Sequence, residues 1–95
     1  EFMDADRAIA LGLINKVTES GEALQTACSL AASIAGNGPM AVRVSKAVIQ
    51  ASRDWTQDEA FSKQNELTEA VFLSEDAIEG ATAFAEKRKP NWKGK

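Results

Sequence analysis

The chain has 95 residues, 44% of them hydrophobic, and a formal net charge of −3. A chain of this length builds one small core and buries a modest fraction of its surface, which favours contact with partners. The acidic balance argues against a general nucleic-acid binder, which needs a basic face on the folded domain. Histidine is absent, which excludes Ser/His/Asp and Cys/His catalysis and most zinc sites.

The distribution of apolar residues argues against a membrane or secreted protein. No apolar run approaches the ~18 to 20 residues that span a bilayer, and no signal-peptide pattern opens the chain. We therefore expect a soluble, unsecreted protein. A bacterial cytoplasm is the expected compartment, and a mitochondrial matrix is the alternative. The single cysteine, Cys28, cannot form an intrachain disulfide, and its place on an apolar helical stripe predicts a buried small hydrophobe.

The first residues predict a short helix followed by an extended segment. Asp4 suits the N-cap, because its carboxylate can accept amide hydrogens of the first turn, and Gly12 offers a left-handed stop. LINKV, residues 13–17, alternates in polarity and predicts a short extended segment. Because the helix begins almost at once, we expect a piece cut from a longer protein; the alternative is that Met3 is the initiator.

Two longer helices are predicted next. The first, about 22–35, carries small and apolar residues at three- and four-residue steps, which indicates a core face. Pro39 suits the first turn of the second, because its missing N–H would be unpaired there in any case. This second helix is expected to reach about Arg53. Its main apolar stripe is opposed by Val42 and Ile49, and two apolar faces predict a further neighbour, either another domain or a subunit.

A capping box predicts the start of the fourth helix. In TQDE, the Thr56 hydroxyl can accept the Glu59 amide while the Glu59 carboxylate accepts the Thr56 amide. The helix is expected to end near Leu73. Glu66 and Glu69 share one of its faces, but nothing near them suggests burial or a second reacting group. They are therefore interpreted as a solvated face and not as an acid–base pair.

A fifth helix leads into a basic segment. Ser74 or Asp76 can cap this helix, which is expected to reach Lys87 or Arg88, where cations face the negative end of the helix dipole. The last nine residues carry a charge of +5, whereas the first 86 carry −8. The whole pattern predicts a mainly α fold, a helical array of about five helices with one short extended segment.

Three stretches carry a resemblance to a known family: DADRAIALGLINKV, LAASIAGNGPMAVRVSKAVI and LSEDAIEGATAFAEKRKPNWKGK. In this order they resemble the C-terminal part of the enoyl-CoA hydratase/isomerase (crotonase) superfamily, over nearly the whole chain. The resemblance implies that residues 1–19 end the core region of a crotonase-type α/β enzyme. It implies that residues 20–95 form a C-terminal helical oligomerisation domain with a basic tail. The implied assembly is a homo-oligomer, a trimer or a dimer of trimers.

The resemblance also implies a parent enzyme, an enoyl-CoA hydratase that adds water to 2-enoyl-CoA thioesters in fatty-acid oxidation. The family's two water-handling glutamates and its two thioester-polarising N–H groups belong to a region before Glu1. No catalytic residue is therefore assigned, and activity of the segment alone is left open. An acyl-CoA thioester is the expected substrate, with no cofactor, metal, nucleic acid or membrane. The alternatives are an enoyl-CoA isomerase relative and a non-catalytic helical oligomerisation or binding module.

Two residues are implied to bind CoA. By position, Phe84 and Lys87 match family residues that approach the adenine and phosphates of CoA, often from a neighbouring subunit. An aromatic face can pack on a purine, an ammonium suits phosphate, and a spacing of three places both on one helix face. The alternative is that Phe84 is a core residue beside Ile78. Arg88 and the later lysines are interpreted as a solvated tail, pinned to a groove by Trp92.

Overall fold

The computed structural model describes residues 2–95 and contains no strand within them. A 3-10 turn, Ser52–Asp54, follows the third helix. The helices are α1 (Ala5–Ala10), α2 (Ala23–Ala35), α3 (Pro39–Ala51), α4 (Ala60–Phe72) and α5 (Glu75–Ala85). The prediction of a mainly α fold with about five helices is confirmed.

The chain divides into two compact units, one ending at Ser33 and one comprising Ile34–Lys95. The predicted division into residues 1–19 and 20–95 concerns the domains of a parent enzyme, and it stays a prediction. In the part of the chain that the structure describes, every helix is too short or too polar to cross a bilayer.

The first unit begins with a capped helix. The Asp4 carboxylate accepts the Arg7 amide at 2.8 Å, and Gly12 follows α1 with a φ of +72°, as the sequence predicts. Residues 13–17 form neither a helix nor a paired strand. The predicted extended segment therefore has no ladder partner among the residues that the structure describes.

The apolar stripe of α2 lies open in the structure. No residue of α2 is buried, Leu24 is 77% exposed, and Cys28 is exposed as well. The prediction that Cys28 is buried is wrong for this structure. An apolar stripe marks a face that can be buried, and within its own unit the described residues do not cover this one.

The second unit is a stack in which α3 packs on α4 and α4 packs on α5. Ala83 is the one buried apolar residue of the chain between residues 2 and 95. Large apolar side chains remain on the surface, among them Ile49 at 64%, Phe61 at 77% and Phe72 at 76% exposure. The core of this unit is therefore thin, and its outer apolar faces are free to meet other surfaces.

The start of α4 differs from the predicted capping box. The Thr56 amide donates to Glu59 Oε2 at 3.1 Å, as predicted, but the Thr56 hydroxyl donates to the same oxygen at 2.9 Å. The Glu59 amide bonds to the Thr56 carbonyl at 3.2 Å, which makes a turn before α4. The Thr56 amide, the Thr56 hydroxyl and then Lys63 lower the pKa of Glu59, because each stabilises its charged form.

Candidate functional site

The helix that carries the candidate residues starts at a serine cap. The Ser74 hydroxyl oxygen accepts the Ala77 amide at 3.1 Å, and the backbone of Ser74 is extended, as an N-cap requires. Glu75 and Asp76 follow in the first turn, where carboxylates meet the positive end of the helix dipole. Of the two caps that the sequence allows, the structure uses Ser74.

The other end of α5 is a left-handed turn centred on Lys87. The Lys87 amide donates to the Phe84 carbonyl at 3.2 Å, and the Arg88 amide donates to the Ala83 carbonyl at 3.0 Å. These two bonds define a Schellman motif, whose left-handed position is usually glycine. Here it is Lys87, with a φ of +55°. The predicted extension of the helix to Lys87 or Arg88 is wrong, because this turn ends α5 at Ala85.

Phe84 and Lys87 therefore lie in different local structures. Phe84 lies in the last turn of α5 and Lys87 lies beyond its end, so the argument that a helical spacing places both on one face does not hold. Phe84 is 87% exposed and Ile78 is 69% exposed, so the alternative of Phe84 as a core residue is wrong for this structure. Lys87 is exposed as well.

Arg88 is the most heavily bonded cation of the segment. Its Nη1 donates to Glu79 Oε1 at 2.7 Å and its Nη2 donates to Glu79 Oε2 at 3.1 Å. Its Nε donates to Glu86 at 2.6 Å, and Nη1 also donates to the Lys89 carbonyl at 3.2 Å. The Arg88 side chain stays 41% exposed, in agreement with a solvated tail, but a bidentate pair with a carboxylate holds its guanidinium in place.

These contacts shift the pKa values of Glu79 and Arg88 so that the charged form of each is favoured. The Arg88 hydrogen bond, and next the Asn91 amide at 2.7 Å, lower the pKa of Glu79 from 4.5 to about 2. Hydrogen bonds to Glu79 and then Glu86 raise the pKa of Arg88. Both partners of the pair are therefore ionised near neutral pH.

The last residues of the chain are held by Asp76. This residue is 5% exposed, and its two carboxylate oxygens accept the Lys93 amide at 2.7 Å and the Gly94 amide at 2.8 Å. The Asp76 amide donates to the Lys95 carbonyl at 3.0 Å. The backbone of the tail is therefore docked on α5, while the side chains of Lys93 and Lys95 stay exposed.

Trp92 pins the tail, as predicted from the sequence. Its indole Nε1 donates to the Gly36 carbonyl at 2.8 Å, and this carbonyl belongs to the loop before α3. The ring lies so close to Gly80 that a Cβ there would be 3.1 Å from its nearest carbon, and 3.7 Å for Gly38. Gly80 therefore provides space for the indole, whereas a Cβ at Gly38 would make an ordinary van der Waals contact with the ring.

The roles of Asp76 and Glu79 were not predicted from the sequence. The available signal was their spacing, because residues three apart share a helix face and the cationic segment follows directly. Among residues 2–95, no group of three or more His, Cys, Asp or Glu side chains is placed to hold a metal ion. The site thus combines an exposed aromatic ring and an exposed ammonium on a turn anchored by carboxylates.

A sequence model of the family described as Enoyl-CoA hydratase/isomerase matches residues 1–95. The chain belongs to the enoyl-CoA hydratase/isomerase family. It is 42% identical over 91 residues to an enoyl-CoA hydratase of Mycobacterium tuberculosis, covering 96% of this chain and 34% of that protein. It is 38% identical over 96 residues to a carnitinyl-CoA dehydratase of Salmonella arizonae, covering 97% and 37%.

Solved structures of the enoyl-CoA hydratase/isomerase family have the same fold over this region. A probable enoyl-CoA hydratase/isomerase from Mycobacterium abscessus matches with a TM-score of 0.90 and 52% identity, covering 96% of this chain and 36% of that one. An enoyl-CoA hydratase from Mycobacterium marinum matches with a TM-score of 0.93 and 47% identity, covering 98% and 37%. The chain thus spans about a third of the length of these family members.

Proposed function

We propose that this chain works as the C-terminal part of an enoyl-CoA hydratase, which adds water to 2-enoyl-CoA thioesters in fatty-acid oxidation. The observation that carries the proposal is the match over 96% of the chain to proteins of that name, at 42% identity for the Mycobacterium tuberculosis relative. The relatives are bacterial, which supports a bacterial cytoplasm. Chemistry is assigned to the rest of the enzyme, with no cofactor or metal beyond the acyl-CoA substrate.

The part given to this segment is the adenine and phosphate end of the CoA site. Two observations support it: the Phe84 ring is 87% exposed, and Lys87 stands on a hydrogen-bonded turn directly after it. An exposed ring can stack on a purine, and an ammonium is a mobile point charge suited to phosphate oxygens. Arg88 is a weaker candidate, because its guanidinium is already paired with Glu79.

Replacement of Lys87 in the complete enzyme tests the CoA assignment. We expect Lys87→Ala to raise KM for a short-chain enoyl-CoA about tenfold, since a hydrogen bond to a charged group is lost, and to leave kcat nearly unchanged. The matched control is Lys93→Ala, which removes an equal charge from an exposed tail lysine that pairs with Glu75 at 3.3 Å. An unchanged KM for Lys87→Ala at low salt contradicts the assignment.

A carnitinyl-CoA dehydratase is the second candidate, because relatives of that name match 97% of the chain. An enoyl-CoA isomerase is a third alternative within the family. Assays of the complete enzyme with a 2-enoyl-CoA, a 3-enoyl-CoA and carnitinyl-CoA distinguish the three by which substrate is consumed. Failure to turn over or bind any acyl-CoA would leave only a non-catalytic oligomerisation or binding role.

We also propose that the segment contributes to a homo-oligomer, a trimer or a dimer of trimers. The support is the exposed apolar surface of the second unit, which includes Ile49, Phe61 and Phe72. Surfaces of this kind commonly mark contacts with other chains or domains. The molar mass of the complete enzyme, measured by light scattering, tests the proposal, and a monomer at high concentration contradicts it.

A further inference from the structure

We propose that Glu79 and Arg88 are positioning residues for Lys87: their bidentate pair fixes the turn that presents the Lys87 ammonium to the phosphates of CoA. This inference rests on the proposed CoA role of Lys87. It adds two residues to that site which do not need to touch the ligand themselves. Three features of the backbone and side chains around residue 87 support it.

The first observation is the backbone conformation of Lys87. Its φ of +55° lies in the left-handed region, which residues other than glycine, asparagine and aspartate rarely adopt. Such a conformation persists where the surroundings determine it. The hydrogen bond from the Arg88 backbone N–H to the Ala83 carbonyl supplies one constraint. A second constraint is needed because helix ends fray.

The second observation is that Glu79 supplies this constraint. It lies on α5, nine residues before Arg88, and both of its carboxylate oxygens accept from the guanidinium at 2.7 and 3.1 Å. The same carboxylate accepts the Asn91 amide at 2.7 Å. The chain after Lys87 is therefore tied back to the body of the helix at two points, and Lys87 is the residue about which it turns.

The third observation is a division of roles between adjacent cations. All three side-chain nitrogens of Arg88 donate to acceptors within the chain. The Lys87 ammonium has no hydrogen bond or ion pair with any residue from 2 to 95. The paired guanidinium of Arg88 can therefore anchor the turn, while the exposed and unpaired ammonium of Lys87 is available to a ligand.

The test uses the complete enzyme and two substrates, an enoyl-CoA and the corresponding enoyl-pantetheine thioester, which lacks the adenosine and its phosphates. Glu79→Gln keeps the shape of the side chain and one acceptor for Asn91, but it places an amide N–H₂ against the guanidinium. We expect KM for the enoyl-CoA to rise about threefold to tenfold, with kcat unchanged and with KM for the pantetheine thioester unchanged. The matched control is Glu75→Gln, four residues earlier on α5, whose exposed contact to Lys93 is weak.

A second variant changes the pair without changing the net charge. Arg88→Lys keeps one cation but loses the planar fork that bonds both oxygens of Glu79. We expect the same rise in KM, which then cannot come from a weaker long-range attraction of the phosphates. This variant also keeps the inference testable if Glu79→Gln does not fold, as judged by circular dichroism.

The double variants separate this inference from the proposed function. If the pair acts through Lys87, Lys87→Ala raises KM in the native enzyme but adds little in the Glu79→Gln background. If Lys87→Ala raises KM while Glu79→Gln and Arg88→Lys do not, or if the two effects add in full, the inference is overturned and the CoA role of Lys87 survives. If Lys87→Ala alone leaves KM unchanged, the proposed CoA role itself fails.

Discussion

At the scale of single residues, the feature that stands out is a lysine in a position that favours glycine. Lys87 occupies the left-handed position of the Schellman motif, where a Cβ costs about 1 kcal/mol or more. Glycine there would relieve the backbone but remove the ammonium. The residue therefore represents a compromise between the stability of the helix end and the availability of a charge.

Lys87→Gly is expected to make the chain more stable and the site weaker. Relief of the left-handed strain should raise the free energy of unfolding by about 0.5 to 1 kcal/mol, whereas affinity for CoA should fall as we expect it to for Lys87→Ala. Urea unfolding followed by circular dichroism measures the first effect. Lys87→Ala is the control, because alanine keeps the strain; equal stabilities of the glycine and alanine variants contradict this account.

At the scale of elements, α5 and the tail behave as one piece. Asp76 accepts hydrogen bonds from the last residues of the tail, and Glu79 accepts hydrogen bonds from Arg88 and Asn91 nearer its start. Trp92 donates to the Gly36 carbonyl. The tail is thus tied both to α5 and to the loop before α3. Any change that weakens these ties should act on the turn at Lys87 as well.

The Glu79 carboxylate predicts a pH dependence of stability. Its pKa is about 2 in the folded chain against an ordinary 4.5, so its contribution is fully present above about pH 4.5. The contribution is lost as the pH falls from there towards 2, because protonation breaks the pair. We expect the difference in urea midpoint between the native chain and Glu79→Gln to be constant near neutral pH and to vanish towards pH 2. A difference that stays constant down to pH 2 would show that the pair does not stabilise the fold.

At the scale of the whole molecule, much of the apolar surface lies outside any core. Buried residues are few in the part of the chain that the structure describes, and Leu24, Phe61 and Phe72 are each more than three-quarters exposed. The chain also spans only about a third of its relatives' length. We infer that these faces are covered in the assembled enzyme, which is what the proposed oligomer requires.

Phe61→Ser tests this inference by comparing two contexts. In the chain alone, Phe61 is 77% exposed, so the change should alter stability by no more than about 0.5 kcal/mol. In the assembled enzyme, where we expect the ring to be covered, Phe61→Ser should lower the free energy of unfolding by about 3 kcal/mol. If the change instead separates the subunits, light scattering should report a smaller molar mass. Ala83→Ser, at a residue that is 1% exposed, should destabilise both. Equal small effects of Phe61→Ser in both contexts contradict the inference.

The sequence by itself determined the helices and several of their ends. Caps and stops depend on local chemistry within four residues, which is why Asp4, Gly12 and Ser74 act as the pattern predicts. The pinning role of Trp92 and the family could also be predicted from the sequence, because they depend on residue identity and order. The exposure of the α2 stripe and of Cys28 could not be predicted, because periodicity marks an apolar face without saying what covers it.

Only the tertiary structure decided how the basic tail is used. Residues 76 and 93, or 79 and 88, are distant in sequence, and no local rule states which carboxylate meets which cation or amide. The three-dimensional path of the tail made that choice, pairing Arg88 with Glu79 and leaving Lys87 free on a left-handed turn. The physical reason is that a hydrogen bond depends on distance and direction in space, whereas a sequence pattern records only type and spacing.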